Sequence, residues 1–385
     1  MTLNKVPKLR FPRFNDKWEE KRLDEIGRII GGGTPDTKNP KYWGGSIYWL
    51  TPTEVKNKYI DSSIRTITEL GLKNSSAKIL PVETVIFTSR ATVGDVAIAK
   101  ISLVTNQGFQ SIIVNEKNNN YFIYYWAKIN KNEFLRKASG STFPEISSSE
   151  MKKIRLKLPS KREQNKIADF LTQIDNHIDL QQKKLDLLKK YKKGLLQQIF
   201  SQKLRFKDDN DKEYPKWEEK ELGDLLNYEQ PTDYLIKSTN YNNNNKTPVL
   251  TAGKSFILGY TNENFGIFNK NKLPVIIFDD FTTAIKYVDF PFKIKSSAIK
   301  ILKANKDNKI KFIFEAIGLI KYRVGGHERH WISKFRDITI QVPSIAEQEK
   351  IANFLTTSDD KINYEESKLK QANKFKKALL QQMFV

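Results

Sequence analysis

The chain has 385 residues, enough for two domains of ordinary size, and 39% of them are hydrophobic, well above the level of disordered chains. The lack of cysteine excludes disulfides and thiolate metal sites, and no apolar run has the length of a membrane span. Residues 1–10 lack the apolar core of a signal peptide, so we expect a cytoplasmic protein without membrane contact. A formal net charge of +22 predicts an acidic partner, most commonly nucleic acid.

The first half of the chain is predicted to be an α+β domain, over residues 1–157, in which short strands alternate with loops. The apolar run 84–88 predicts a buried strand, and the aromatic run 121–127 predicts a helix. The asparagine-rich stretch 117–120 predicts a solvated loop between them.

A long helix is predicted to follow, within residues 158–203. Pro159 and Ser160 precede it, and Glu163 three residues after the serine completes a typical helix start. Apolar residues then recur at the a/d spacing of a coiled coil, although polar residues interrupt the seam. At 1.5 Å per residue the helix would be about 57 Å long. The apolar seam residues are Leu171, Ile174, Ile178, Leu185, Leu188 and Leu195.

The second half of the chain repeats the first. Residues 204–206 return the Leu-Arg-Phe sequence of residues 9–11, and residues 342–355 return the pattern of residues 158–171. The offset is constant, since 347 − 163 = 184 for the repeated glutamate. A chain of two copies can present two similar surfaces related by a pseudo-twofold axis, which suits a target with two halves.

This repeat defines the remaining elements. We place a second α+β domain at 204–341, with a buried strand at 274–278 and a helix at 312–318. A second long helix follows at 342–385. Its seam residues are Leu355, Ile362, Leu369 and Leu379.

Residues that could contact nucleic acid lie on predicted loops of both domains. Phosphates are bound by Lys and Arg, whereas bases are read by Arg, Asn, Gln, Ser and Thr. An exposed Lys or Arg could equally belong to the general positive field, and Tyr42 and Trp43 could equally belong to the core. The candidates are Tyr42, Trp43, Ser89, Arg90, Thr92, Ser141 and Thr142 in the first half, and Lys254, Lys286, His327, Arg329 and His330 in the second.

Patterns for catalysis are weak. Asp36, Glu54 and Lys56 match the PD…ExK pattern of Mg²⁺-dependent nucleases, but that pattern is loose and common by chance. No Asn-Pro-Pro-Tyr motif of a DNA methyltransferase and no P-loop is present. His327 and His330 lack an obvious third ligand, so we predict no metal site and no catalytic residue.

Three features together resemble the specificity subunit of type I restriction–modification systems. The first is Gly-Gly-Thr-Pro at 32–35, followed by the aromatic and glycine-rich stretches 39–45 and 47–50. The second is Pro-Ser-x-x-Glu-Gln-x-x-Ile-Ala-x-x-Leu, which occurs at 159–171 and, with one copy per half, again at 343–355. The third is the order of globular domain and long helix, given twice.

The resemblance implies an α+β fold with two α/β target-recognition domains separated by two long antiparallel coiled-coil helices. Each domain would read one half of a bipartite double-stranded DNA target. The second domain has Thr247-Pro248-Val249-Leu250 instead of the Gly-Gly-Thr-Pro opening, which implies a different base sequence.

The resemblance also assigns a role to the two helices and to partner subunits. The helices would set the unread spacer, and 57 Å limits the half-site separation to about 17 bp. They would dock methyltransferase subunits, which restriction subunits then join. S-adenosylmethionine, Mg²⁺ and ATP are expected in those partners, and no cofactor in this chain. The alternative is a stand-alone coiled-coil DNA-binding or scaffold protein.

Overall fold

The computed structural model describes residues 6–140, 144–251, 255–322 and 330–384, without the side chains of residues 332 and 333. The chain forms two compact units. Unit 1 comprises Met1–Gln182 and Lys368–Val385, and unit 2 comprises Lys183–Ser367. Each unit combines one predicted globular domain with a stretch of both long helices. The predicted four-part division at residues 157, 203 and 341 stays a prediction.

The described part of unit 1 is a mixed α/β domain. Its strands are β1 (Glu19–Arg22), β2 (Gly27–Gly31), β3 (Trp43–Leu50), β4 (Tyr59–Ile60), β5 (Arg65–Ile67), β6 (Val85–Phe87), β7 (Val96–Ala99), β8 (Leu103–Thr105), β9 (Gln110–Val114) and β10 (Arg155–Leu158). Its short helices are α1 (Leu23–Ile26), α2 (Glu69–Lys73), α3 (Asn120–Ile129), α4 (Lys131–Lys137) and α5 (Ser148–Lys153). The long helix α6 (Lys161–Phe200) follows.

Three sheets organise unit 1. The largest has the strand order β2-β9-β6-β7-β4, a second has the order β5-β3-β8, and β1 pairs with β10. Helix α3 begins at an asparagine cap, because the side chain of Asn119 accepts a hydrogen bond from the backbone N–H of Phe122 at 2.9 Å. The apolar side chains of α3 pack with Phe87 of β6 and with Leu171 of α6 in one core.

The described part of unit 2 follows the same plan. Its strands are β11 (Glu218–Glu221), β12 (Leu226–Glu229), β13 (Thr247–Leu250), β14 (Ile257–Thr261), β15 (Val275–Asp279), β16 (Ile285–Val288), β17 (Lys293–Ile294), β18 (Ile299–Ala304) and β19 (Thr339–Val342). Its helices are α7 (Leu222–Leu225), α8 (Ile310–Gly318) and the long α9 (Ile345–Met383). The sheets have the orders β12-β18-β15-β16 and β14-β13-β17, and β11 pairs with β19.

The two units share topology as well as sequence motifs. The central strands β3 and β13 each have one antiparallel and one parallel neighbour, and hairpin β6–β7 corresponds to hairpin β15–β16. The predicted strands at 84–88 and 274–278 and the predicted helices at 121–127 and 312–318 are confirmed.

The prediction of a solvated loop at 117–120 is wrong in part. Asn120 begins α3, and Asn118 is 8% exposed. The amide group of Asn118 is buried because it pairs with a glutamine of the long helix. An asparagine-rich composition therefore does not separate a surface loop from a buried hydrogen-bonding segment.

The two long helices pair in antiparallel fashion, as the ion pairs within unit 2 demonstrate. Lys184 contacts Glu365 at 2.6 Å and Lys192 contacts Asp359 at 2.6 Å. The residue numbers of the contacts therefore increase along α6 while those of their partners on α9 decrease. All ten predicted packing residues are buried or half-buried, and their assignment to helix or subunit packing stays a prediction. They are Leu171, Ile174, Ile178, Leu185, Leu188 and Leu195 on α6, and Leu355, Ile362, Leu369 and Leu379 on α9.

Candidate nucleic-acid interface

The repeated glutamate fixes the start of each long helix to the repeated Leu-Arg-Phe segment. In unit 1, Arg10 donates from Nε and Nη2 to the two carboxylate oxygens of Glu163 at 2.8 and 2.7 Å. In unit 2, Arg205 donates to Glu347 at 3.2 and 2.7 Å, and the indole N–H of Trp217 adds a bond of 3.1 Å. Both carboxylates are buried, so the arginines compensate charges that would otherwise be costly.

The repeated glutamine after it binds the loop before the globular-domain helix. Gln164 donates to the carbonyl of Pro159 at 3.0 Å and to Asn118 Oδ1 at 3.1 Å, and accepts from the backbone N–H of Asn119 at 2.9 Å. In unit 2, Gln348 makes the same three bonds at 3.1, 3.2 and 3.0 Å, to Pro343, Asn308 and Lys309. The Glu-Gln motif therefore positions each domain on its helix, and its buried side chains are not available to a ligand.

A buried cluster of charges joins the globular domain of unit 1 to both long helices. Asp175 of α6 pairs with Lys376 of α9 and, at 2.9 Å, with Lys58, and it accepts a 2.5 Å hydrogen bond from Tyr125 of α3. Burial alone would raise the pKa of Asp175, but the hydrogen bonds from Lys376, Tyr125 and Lys58 outweigh it and lower that pKa. Burial lowers the pKa of Lys58.

Unit 2 contains the repeat-related cluster. Asp359 of α9 contacts Lys192 of α6 at 2.6 Å and Lys311 of α8 at 2.5 Å. Both lysines also contact Glu315 at 2.8 Å. The acidic positions and the helix lysines are related by the repeat offset, since 359 − 175 = 184 and 376 − 192 = 184. These partners could not be predicted from the repeat, because Lys58, Lys311 and Glu315 lie outside the repeated motifs.

The turn between β6 and β7 carries three predicted contact residues, of which one is exposed. Arg90 is exposed, and its Nε contacts Glu145 at 2.7 Å. Thr92 is half-buried and Ser89 is fully buried. The prediction of a DNA contact for the Ser89 side chain is therefore wrong for this conformation.

The equivalent turn in unit 2, between β15 and β16, accepts the same kind of backbone hydrogen bond from a later part of the chain. The backbone N–H of Ile146 donates to the carbonyl of Ser89 at 3.1 Å in unit 1, and that of His330 donates to the carbonyl of Asp280 at 2.9 Å in unit 2. His330 itself is fully buried and lies 3.3 Å from the hydroxyl of Tyr322, so its predicted DNA contact is also wrong here.

The remaining candidates are distributed as follows. Tyr42 and Trp43 are half-buried, and Trp43 packs edge-on against Trp49 with ring centroids 5.0 Å apart. Lys286 is half-buried on β16, with its amine 5.7 Å from the ring of Phe256. For Tyr42, Trp43, Arg90, Thr92 and Lys286 the DNA contact stays a prediction. Ser141, Thr142, Lys254, His327 and Arg329 lie outside the described residues.

The nuclease-like pattern has a structural explanation. Glu54 accepts hydrogen bonds from the backbone N–H groups of Thr51 and Ile64 at 2.8 and 2.7 Å, and Asp36 accepts one from the backbone of Lys38 at 2.9 Å. These carboxylates shape turns. Within the described ranges, no group of three His, Asp or Glu side chains is arranged to hold a metal. Likewise, no helix in the described part of the chain has the length and apolarity needed to cross a bilayer.

Comparison with known proteins gives consistent matches in both repeats. Residues 15–190 and 214–374 match the family model of the type I restriction modification DNA specificity domain. The MjaIX specificity subunit of Methanocaldococcus jannaschii is 36% identical over 281 residues, covering 70% of this chain and 63% of that protein. The EcoR124I/EcoR124II specificity subunit of Escherichia coli is 49% identical over 133 residues, covering 34% of this chain and 33% of that protein. The chain thus aligns with less than two thirds of the length of either relative.

Solved structures extend the likeness to the fold of the whole chain. A type I restriction–modification S subunit from M. genitalium superposes with a TM-score of 0.68 at 17% identity and covers 99% of both chains. A chain from a study of complex assembly in the type I system gives a TM-score of 0.52 at 15% identity, over 98% of this chain and 99% of that one. Because the family model matches most of both repeats, this chain belongs to the type I restriction modification DNA specificity family.

Proposed function

We propose that this chain is the sequence-recognition subunit of a type I restriction–modification complex. Each globular domain would read one half of a bipartite DNA target. The observation that carries the proposal is the internal repeat, in which the anchoring contacts of Glu163 and Gln164 return at Glu347 and Gln348 while the exposed turns differ. A constant frame with variable turns is what two domains with different base preferences require.

Electrostatics support DNA as the ligand. The net charge of +22 would draw the chain to the phosphate backbone whatever the sequence. Specificity would then come from a few side chains on the domain turns, such as Arg90, through contacts with base edges. Neither step requires a catalytic residue in this chain.

The helix pair has a surface suited to partner subunits. Leu187 and Tyr191 lie one turn apart on the part of α6 that belongs to unit 2, and they are 66% and 62% exposed. Large apolar side chains that point away from a coiled-coil seam indicate a further contact. We assign that contact to the methyltransferase subunits, which would bring S-adenosylmethionine, while restriction subunits would bring ATP- and Mg²⁺-dependent cleavage in the cytoplasm.

A binding selection tests the proposal. The full chain, co-expressed with a type I methyltransferase, is offered a pool of random-sequence duplexes. We expect two short conserved half-sites separated by a fixed number of unspecified base pairs, and an affinity that falls steeply and linearly on a log–log plot against salt. Binding without enrichment, or enrichment of one uninterrupted site, would favour the stand-alone DNA-binding or scaffold protein instead.

A further inference from the structure

An exposed arginine of unit 1 lies over the ring of one tryptophan and close to a second. The guanidinium carbon of Arg65 lies 3.5 Å from the ring centroid of Trp43 and 5.4 Å from that of Trp49. The two indoles meet edge-on. Stacking covers one face of the guanidinium and restricts its rotation, but it leaves the N–H donors in the guanidinium plane free.

The Gly-Gly-Thr-Pro segment and the aspartate after it hold the two indoles in place. Trp49 donates its ring N–H to the carbonyl of Gly33 at 2.9 Å, and Trp43 donates to the carbonyl of Asp36 at 3.1 Å. Gly33 is closely packed, because a Cβ atom there would lie 2.3 Å from the backbone nitrogen of Ala77. We call Trp43, Trp49 and the segment 33–36 the tryptophan platform.

The backbone that carries Arg65 is also fixed. The hydroxyl of Ser63 donates to the carbonyl of Arg65 at 2.6 Å and accepts from the backbone N–H of Trp49 at 3.1 Å. Glu54 accepts from the N–H of Ile64 at 2.7 Å. Ile64 is 85% exposed on this braced turn. The turn thus presents an apolar side chain and a stacked cation side by side in solvent.

Arg65 differs from Arg90 in its partners. Arg90 contacts the carboxylate of Glu145, whereas Arg65 has no ion pair with any other described residue. The two arginines belong to neighbouring turns, because Thr92 of the Arg90 turn donates its hydroxyl to the carbonyl of Pro52 at 3.4 Å, and Pro52 begins the turn that contains Glu54.

From this geometry we propose that Arg65 reads a guanine in the half-site of unit 1, with the tryptophan platform holding its guanidinium ready and Ile64 making an adjacent apolar contact. The inference rests on the proposed function. A planar guanidinium matches the O6 and N7 acceptors of guanine in the major groove, and a side chain ordered in advance loses less entropy on binding. Glu54 and Ser63 are positioning residues, since they act through the turn.

The test repeats the duplex selection with full-length variants. Arg65→Ala should lose roughly 5- to 150-fold preference for guanine at one position of one half-site, which corresponds to a single bidentate base contact. The other half-site should be unchanged. Trp43→Leu should give a smaller loss at the same position, because Arg65 remains but is no longer held. Arg28→Ala is the matched control, since Arg28 is also an exposed strand residue of unit 1 but contacts no ring or carboxylate among the described residues.

The outcomes separate the two proposals. If the wild-type chain selects a bipartite target and Arg65→Ala selects the same bases with the same stringency, Arg65 is not a reading residue while the proposed function stands. A uniform loss of affinity on all duplexes would make it a phosphate contact and would also overturn the inference. If the wild type selects no bipartite target, both proposals fail. Circular dichroism of each variant checks that the fold is retained. Arg65→Lys keeps the charge and should show a weaker guanine preference than the wild type, because an ammonium lacks the planar donor fork.

Discussion

Removing one carboxylate from the unit 2 charge cluster should destabilise the protein strongly. In the cluster, two lysines alternate with two acids, and the exposed fractions of the side chains are 15% for Lys192, 9% for Lys311, 7% for Glu315 and 27% for Asp359. Burial alone would raise the pKa of Asp359, but hydrogen bonds from Lys192 and Lys311 outweigh it and lower that pKa. Asp359→Asn would leave two buried cations facing one acid.

The expected magnitude follows from the burial. Breaking a buried ion pair costs about 3–5 kcal/mol, and the partial exposure of Asp359 favours the lower end, about 3 kcal/mol. For a unit of this size, a loss of 1 kcal/mol lowers Tm by about 2–4 °C, so the unit 2 transition should fall by about 6–12 °C. Asp360→Asn changes the adjacent exposed carboxylate and should shift Tm by about 1 °C or less.

Calorimetry of the full chain measures both shifts. A second variant, Lys192→Met with Asp359→Leu, removes one charge of each sign and leaves Lys311 paired with Glu315. It should recover most of the lost stability, because apolar replacement of a buried pair is often neutral or favourable. The reasoning is refuted if Asp359→Asn has the same Tm as Asp360→Asn. It is also refuted if the double variant is less stable than Asp359→Asn.

Two further predictions concern the helix surface and the glycines. Leu187→Asp changes an exposed apolar position of α6 and should leave the fold intact but abolish co-elution with the methyltransferase subunit. Gln197→Asp makes the same charge change at an exposed polar position and should co-elute normally. Equal behaviour of the two variants would contradict the assigned docking face. Gly33→Ala should destabilise the chain by about 1–3 kcal/mol because of the close approach to Ala77. Gly194→Ala, in open space on α6, should stabilise it by about 0.5–1 kcal/mol. Denaturant unfolding checks both, and the changes in the free energy of unfolding must have opposite signs.

Periodicity and repetition predicted the architecture well. The seam positions were predictable because the a/d spacing depends only on order along one helix, and the apolar runs at 84–88 and 274–278 are typical of buried strands. The second copy strengthened each prediction, because the same sequence pattern predicted the same element in both halves of the chain.

The sites were less predictable because they depend on pairing between distant strands. Arg65 meets Trp43 and Trp49 only through the β3–β5 ladder, whose register shifts between Trp43 and Ile47. No local pattern reports that shift. The predicted DNA contacts of Ser89 and His330 were wrong for a related reason. A polar residue after a strand can turn inward, and its burial is set by the packing around the turn.

The repeated ion pairs also specify how the helices align. In unit 1, Asp175 of α6 meets Lys376 of α9, and in unit 2 the repeat-related Asp359 of α9 meets Lys192 of α6. The same two positions therefore make the contact twice with the helices exchanged, which is the property of an isologous interface. A slip of seven residues would set Asp175 against Leu369 or Met383 in unit 1, since 175 + 376 = 551 becomes 544 or 558. In unit 2 the same slip would remove Asp359 from Lys192. Either direction would take the lysine of the partner helix away from a buried carboxylate in each unit, so the polar interruptions that weaken the seam also disfavour the wrong register.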